Sequence, residues 1–342
     1  MGRRRKWNRR RGDNRVESKA DYGLIQDTEI NSETLGFEEF SEPDQSLAIP
    51  QFEPEIMDSE LTESEETPPP AAPTGQNFPR VFALVGATGG VGTTSLATQL
   101  AHEFALAEAY KHISKKRPSD ARVCLIDLDF ESGACAHHLD LLPSLTMKDL
   151  CGPADQIDTA FTQALVSTHE CGVSLLAAPN TVGANARVNP RTIMAILDAA
   201  ADLFDTVIID LPRYQQPWTL SVMRAVDVLG LTCELTIPSL HAARERLAQI
   251  ANRANGAVNA QVILSKFERR SFKNTLRLGD AETALGRSVL STLCLDPDTT
   301  REALNCGEPA GVIRPDSRFV KDVRKLADVL KAEKVSPMAK VA

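Results

Sequence analysis

The sequence predicts a doubly wound α/β domain built on a mostly parallel sheet. Short apolar, β-branched runs alternate with helical patterns from residue 78 onward. Several of these runs are apolar throughout, as strands buried on both faces must be. One of them leads through a glycine-rich turn into a helical pattern, the strand–loop–helix order of a phosphate-binding loop.

The chain before this domain has a different character. Residues 1–15 carry a net charge of +7 and residues 16–66 a net charge of −15, while residues 67–79 are uncharged and contain the linker TPPPAAPTGQ. Polar, acidic chain of this kind lacks the apolar surface to offset its conformational entropy, so residues 1–79 are expected to be a disordered tail and linker. Two aromatic-acidic snippets within it, LGFEEF and QFEPEI, read either as linker with stray hydrophobic residues or as short partner-docking motifs. The expected domain covers residues 80–335, with a short tail at 336–342.

Strands are expected at residues 81–85, 122–127, 173–177, 206–210, 228–232 and 261–265. Between them, a helix is expected after Asn189, with Pro190 in its first turn and Ile193, Ile196, Leu197 and Phe204 on one face. Another is expected after Ser239, presenting Leu240, Leu247 and Ile250. Phe319, Val323, Leu326 and Leu330 have the spacing of a last helix that docks on the domain. In such a sheet, ligands bind beyond the carboxyl ends of the strands.

Three segments meet at that edge. The first is GATGGVGTTS, residues 86–95, in which Gly89, Gly90 and Gly92 let successive N–H groups turn inward toward an anion. The helix that follows aims its N-terminal dipole at the same place. Val91, Thr93, Thr94 and Ser95 complete the expected phosphate contacts, and Thr94 holds the hydroxyl position that ligates magnesium. The position after Gly92, where a lysine normally reaches the β- and γ-phosphates, is Thr93. The second segment, CLIDLDFESG, ends a strand at Asp127 and Asp129; the third, VIIDLPR, ends one at Asp210. A strand-terminal carboxylate beside a phosphate loop suits a hydrated Mg²⁺, and Asp129 is placed to orient or deprotonate an attacking water.

Composition excludes several classes. The whole chain has a net charge of −8, which the first 79 residues supply in full, so the body is near neutral and is not built mainly to grip DNA. No apolar run is long enough to span a bilayer, and the basic start lacks the apolar stretch of a secretory signal. The seven cysteines (Cys124, Cys135, Cys151, Cys171, Cys233, Cys294 and Cys306) form no C-x-x-C pair, which fits a reduced cytoplasm and argues against a disulfide frame or zinc site.

TGGVGTTS resembles the deviant phosphate loop of the ParA/MinD ATPases, LIDLDFESG their switch-I strand and VIIDLPR their Walker B strand. The stretch IDLPRYQQPWTLSVMRAVDVLGLTCELTIPSLHAARERL is similar to the CpaE/TadZ branch, as is the tail LGRSVLSTLCLDPDTTREALNCGEPAG. The resemblance implies an ATP- and Mg²⁺-binding homodimer in the cytoplasm. It implies a role in placing or assembling a tight-adherence (Flp-type) pilus secretion apparatus, at a cell pole on the inner face of the membrane, reached through partners in that apparatus. No specific DNA partner is implied. Asp127 and Asp129 take the catalytic role, Thr94 and Asp210 the metal. Three departures stand out. Thr88 replaces the lysine that reaches across a ParA-type dimer, Thr93 replaces the loop lysine, and residues 1–79 cannot form the receiver-like domain that many relatives carry. Weak nucleotide binding with slow hydrolysis follows. After the strand at 261–265, Ser265 and Lys266 stand where relatives often have an adenine-reading Asn, and Lys266 reads as a solvated surface side chain, with a charge supplied near a ligand as the alternative.

Other readings stay open on the sequence. One is a chromosome-partitioning or septum-positioning ATPase, although a partitioning protein is expected to keep both lysines and a septum protein a basic amphipathic tail. Another is a nucleotide-free scaffold acting through its surface.

Overall fold

The computed structural model describes residues 80–114, 122–143, 157–181, 183, 188–268 and 276–332. The expected tails at 1–79 and 336–342 lie outside the described residues, as does Cys151.

The strands are β1 (Arg80–Gly86), β2 (Val123–Asp127), β3 (Val166–Thr168), β4 (Val173–Leu176), β5 (Thr206–Leu211), β6 (Val228–Glu234), β7 (Ala260–Phe267) and β8 (Val289–Cys294). The helices are α1 (Thr93–Ser114), α2 (Cys135–His138), α3 (Thr159–Leu165), α4 (Pro190–Leu203), α5 (Thr219–Ala225), α6 (Ile237–Ala254), α7 (Leu278–Leu285), α8 (Pro297–Cys306), α9 (Ala310–Ile313) and α10 (Arg318–Ala332). The strands form one sheet in the order β3-β4-β2-β5-β1-β6-β7-β8. Every neighbouring pair is parallel except β3 with β4. The expected doubly wound, mostly parallel fold is therefore the observed one.

Alternation along each strand divides the core into two layers. In β1, Val81, Ala83 and Val85 join Ile193 and Ile196 of α4, Met223 of α5 and Leu240 of α6 on one face. Phe82 and Leu84 join Leu96, Leu100 and Phe104 of α1 and the apolar stripe of α10 on the other. Phe82 and Phe104 stack with ring centroids 5.3 Å apart. Phe319, Val323, Leu326 and Leu330 are all buried, so α10 is a docked helix of the domain, as its spacing predicts.

The helix ends follow from capping residues. Asn189 caps α4 by accepting from Arg191 N, with Pro190 in the first turn. Asp296 caps α8 by accepting from Thr299 N, and Gly307 closes that helix in the left-handed conformation at φ 64°. Two expectations shift. Phe204 ends α4 as its C-cap and does not continue it. The helix expected after Ser239 begins earlier, because the Thr236 side chain caps it and Ser239 lies inside the first turn. The strands β3 and β8 were not expected. β3 is only three residues long, and β8 mixes polar Ser and Thr into a half-buried edge, so neither shows an uninterrupted apolar run.

Candidate nucleotide and metal site

β1 lies at the centre of the sheet, between β5 and β6, and its carboxyl end opens into the glycine-rich turn. The turn is anchored to β6, where Ala87 N donates to Thr232 O at 2.8 Å. Gly90 and Gly92 adopt φ of 74° and 84°, which a side-chain-bearing residue rarely does. Helix α1 begins at Thr93, so its first amides face the turn. The glycine-rich turn thus runs from the end of β1 into the first turn of α1.

The two threonines that replace lysines point back into the fold. A Cβ built on Gly86 would lie 2.9 Å from Thr93 Oγ1, so that hydroxyl sits against the floor of the loop. Thr88 Oγ1 lies 3.3 Å from Ser239 Oγ, which also accepts from Glu234 N at 3.0 Å. Thr88 is thus tied to the start of α6 within its own chain.

Register brings the acidic residues together. Asp127 and Asp210 are direct partners on the adjacent strands β2 and β5, so their side chains leave the sheet on the same face. Both are buried. Asp210 Oδ2 accepts from Thr94 Oγ1 at 2.7 Å and from the Cys135 thiol at 3.6 Å. Asp127 accepts from the backbone amides of Asp129 at 3.1 Å and Cys135 at 3.0 Å. Burial, then the neighbouring Asp127 carboxylate, pushes the Asp210 carboxyl up to about 8. Burial also raises Asp127, to about 6, although its two amide donors oppose the shift. Two buried carboxyl groups side by side at the mouth of the glycine-rich turn are short of positive charge.

That deficit is the test of fit for a cation. Asp127, Asp210 and Cys135 place one ligand atom each within 4.8 Å of one another. Burial and the two carboxylates raise the Cys135 thiol well above its ordinary value, so it stays a proton donor and the oxygens are left to meet the ion. With the Thr94 hydroxyl beside them, the donor set is hard oxygen, which suits Mg²⁺. Asp129 lies apart from this pair. It is partly exposed, and its carboxylate accepts from Ser132 N at 3.1 Å in the turn after β2. Gly133 leaves room for the site, because a Cβ there would come within 2.5 Å of Asp127 Oδ2.

Three further residues stand at this edge. Cys135 is part of the acidic cluster, and only its position eight residues beyond Asp127 hints at that. Lys266 is exposed, as a surface lysine is expected to be, and it donates to Gly90 O at 2.6 Å and pairs with Glu234 at 2.8 Å. Arg213 follows β5, and its guanidinium Nη1 is 4.0 Å from where a Cβ on Gly89 would be. Among the described residues no helix is long and apolar enough to cross a membrane.

No protein-family model matches the sequence, and no curated protein matches it. Solved structures do share its fold. A ParA family ATPase from Chlorobium tepidum superposes with a TM-score of 0.63 at 20% identity, over 74% of this chain and 98% of that one. The cell division ATPase MinD of Pyrococcus furiosus gives 0.60 at 20% identity, over 74% and 98%. The septum site-determining protein MinD of Pyrococcus horikoshii, complexed with Mg-ADP, gives 0.60 at 18% identity, over 74% and 96%. The doubly wound sheet with its glycine-rich turn is therefore the ParA/MinD P-loop ATPase fold.

Proposed function

We propose that this chain is an ATP- and Mg²⁺-binding protein of the ParA/MinD type with slow hydrolysis. Its proposed role is to position or help assemble a tight-adherence pilus secretion apparatus, as the resemblance to the CpaE/TadZ branch suggests. The observation that carries the nucleotide reading is the Thr94–Asp210 hydrogen bond, which joins the hydroxyl of the turn to a buried strand-end carboxylate. A MinD that shares the fold was solved with Mg-ADP, which supports the same ligands here. In the proposed dimer, as in the ParA/MinD type, the chain acts in the cytoplasm, and partners hold it at the inner face of the membrane.

The residues divide the work. The amides of Gly89, Gly90, Val91, Gly92, Thr93, Thr94 and Ser95 hold the phosphates, and Thr94 with Asp210 holds the metal. When bound, Mg²⁺ neutralises charge on the phosphate oxygens. Asp129 is the accessible carboxylate, and it orients water. Asp127, whose oxygens are occupied by two amides, fixes the turn that carries Asp129. Losing a lysine contact weakens ground-state binding by about 10–100-fold, because a charge-assisted bond contributes about 1.5–3 kcal/mol. Losing a charge aimed at the transition state costs about 10²–10³ in rate. Binding survives a loss that cripples turnover. Calorimetric titration with ATP–Mg²⁺ tests this: the expected affinity is weaker than millimolar at no point, and absence of heat up to several millimolar sinks the reading. Deletion of the chain should abolish surface pili while leaving chromosome segregation intact.

The inward-turned Thr88 and Thr93 favour a second reading, a scaffold that needs no nucleotide. Substituting Thr94 or Asp129 separates the two. The scaffold keeps localisation and pilus assembly under both substitutions, and the nucleotide-responsive protein loses them.

A further inference from the structure

We infer that Lys266 and Arg213 supply, from outside the loop, the positive charge for a nucleotide's polyphosphate that Thr88 and Thr93 no longer provide. The inference rests on the nucleotide reading of the site and adds the residues that make it workable.

The strand order places one cation on each side of the loop. Arg213 follows β5, the neighbour of β1 on one side, and Lys266 belongs to β7, beyond β6 on the other. Both reach the exposed crest of the turn at Gly89 and Gly90. Lys266 Nζ lies 2.6 Å from Gly90 O, and Arg213 Nη1 lies 4.0 Å from the Cβ position of Gly89.

Lys266 is aimed there by a backbone irregularity. The pairing of β7 with β8 loses register between Leu264 and Phe267, and Lys266 has φ 50°, in the left-handed region. A long side chain without a glycine backbone rarely occupies that region, and a bulge of this kind re-aims a side chain at the end of a strand. Without the bulge, strand alternation alone would set the direction of Lys266. Its ammonium has three donors, and among the described residues Gly90 O and Glu234 take two of them. The third is left for a phosphate oxygen, while Glu234 holds the ammonium in place.

Arg213 is held by different means. Its guanidinium lies 4.2 Å from the centroid of the Tyr214 ring and donates to the Tyr214 hydroxyl, and its carbonyl accepts from Arg246. A stacked guanidinium presents a planar fork that matches two phosphate oxygens at once. An ammonium and a guanidinium flanking a turn of inward amides select a chain of phosphates over a neutral nucleoside.

The test compares Lys266→Met and Arg213→Met with the wild-type full chain, titrated calorimetrically with ATP–Mg²⁺, ADP–Mg²⁺ and adenosine, with circular dichroism to confirm folding. Each substitution should weaken ATP and ADP binding about tenfold or more and leave adenosine unchanged. Adding Thr93→Lys to the Lys266→Met chain should restore ATP affinity, which a merely structural role for Lys266 would not predict. A measurement on the wild-type chain runs in parallel: reductive methylation read by mass spectrometry should modify Lys266 freely alone and slowly with ATP–Mg²⁺. ATP affinity unchanged or tightened in both variants overturns the inference and leaves the nucleotide site standing, as does equal methylation with and without ATP. If the wild-type chain binds no ATP at all, the nucleotide reading falls and takes the inference with it.

Discussion

Thr94 Oγ1 donates a 2.7 Å hydrogen bond to Asp210 Oδ2, joining the first turn of α1 to the end of β5 across 116 positions of sequence. The bond satisfies a carboxylate that burial has removed from water and that faces a second carboxylate, Asp127. It also places a hydroxyl where a divalent cation would take both oxygens. Thr94→Val keeps the shape and removes the donor. It should cost about 1–3 kcal/mol in urea-unfolding free energy, the penalty for leaving a buried acceptor short of a partner. Mg²⁺-dependent ATP affinity should fall about tenfold or more, and Thr94→Ser should retain both properties.

The Asp127–Asp210 pair carries the opposite trade. Burial raises both carboxyl groups, the Asp127 carboxylate raises Asp210 further, and no described cation lies between them. Asp210→Asn removes one charge and preserves an oxygen that can accept from Thr94. The substituted chain should be more stable than the wild type in the absence of Mg²⁺, by about 1–2 kcal/mol at pH 8, the scale of gain found when a functional strain is relieved. Its ATP affinity should lose its dependence on Mg²⁺. Thermal unfolding with and without Mg²⁺ reads both effects, and a destabilised Asn variant would show that the pair is not under repulsion.

Most of this architecture was legible in the sequence because it is written in local patterns. The central strands are apolar runs, the loop is a run of glycines, and Asp127 and Asp210 end their strands in plain view. The pairing of Asp127 with Asp210 depends on β2 and β5 being neighbours in register, a property of strand order that no local pattern records. The direction of Lys266 is hidden for the same kind of reason. A lysine after a strand is usually solvated, and only the bulge opposite β8, a strand the apolar pattern does not reveal, turns it toward the loop. Cys135 looks like any small buried residue until the chain folds its amide and thiol onto the two carboxylates.

On the opposite face of the sheet from α4 to α6, Glu103 of α1 is almost fully buried and accepts from Arg324 Nε at 2.9 Å and Gln99 Nε2 at 2.9 Å. Gln99 in turn accepts from Gly311 N at 2.7 Å, so one polar chain links α1, α9 and α10. Arg324 is partly exposed, and much of the value of the pair lies in satisfying Glu103. Arg324→Met should therefore destabilise the domain by about 1–3 kcal/mol. Replacing both partners, Glu103→Met with Arg324→Met, should recover most of that loss, because no buried charge is then left without its partner. Urea denaturation of the two single variants and the double variant completes the cycle, and equal losses in the Arg324 and double variants would assign the cost to packing.

Buried His102 and half-buried His138 should make the same layer sensitive to acid. Burial pushes His138 down to about 4, helped by the charge of His137. His102 is lowered as well, first by burial, with Glu103 opposing the shift, and its Nδ1 has no hydrogen-bond partner among the described residues. A histidine whose folded value lies below its unfolded value near 6.5 binds a proton more readily in the unfolded chain. Its contribution to stability is complete above about pH 6.5 and is lost as the pH falls toward about 4. Tm should drop by about 5 °C or more between pH 7 and pH 5, on the scale of a few kcal/mol in a domain of this size. His138→Asn should flatten that slope by removing one of the two titrations, measured by differential scanning calorimetry across the same range. An unchanged slope in the Asn variant would mean that His138 titrates alike in the folded and unfolded chains.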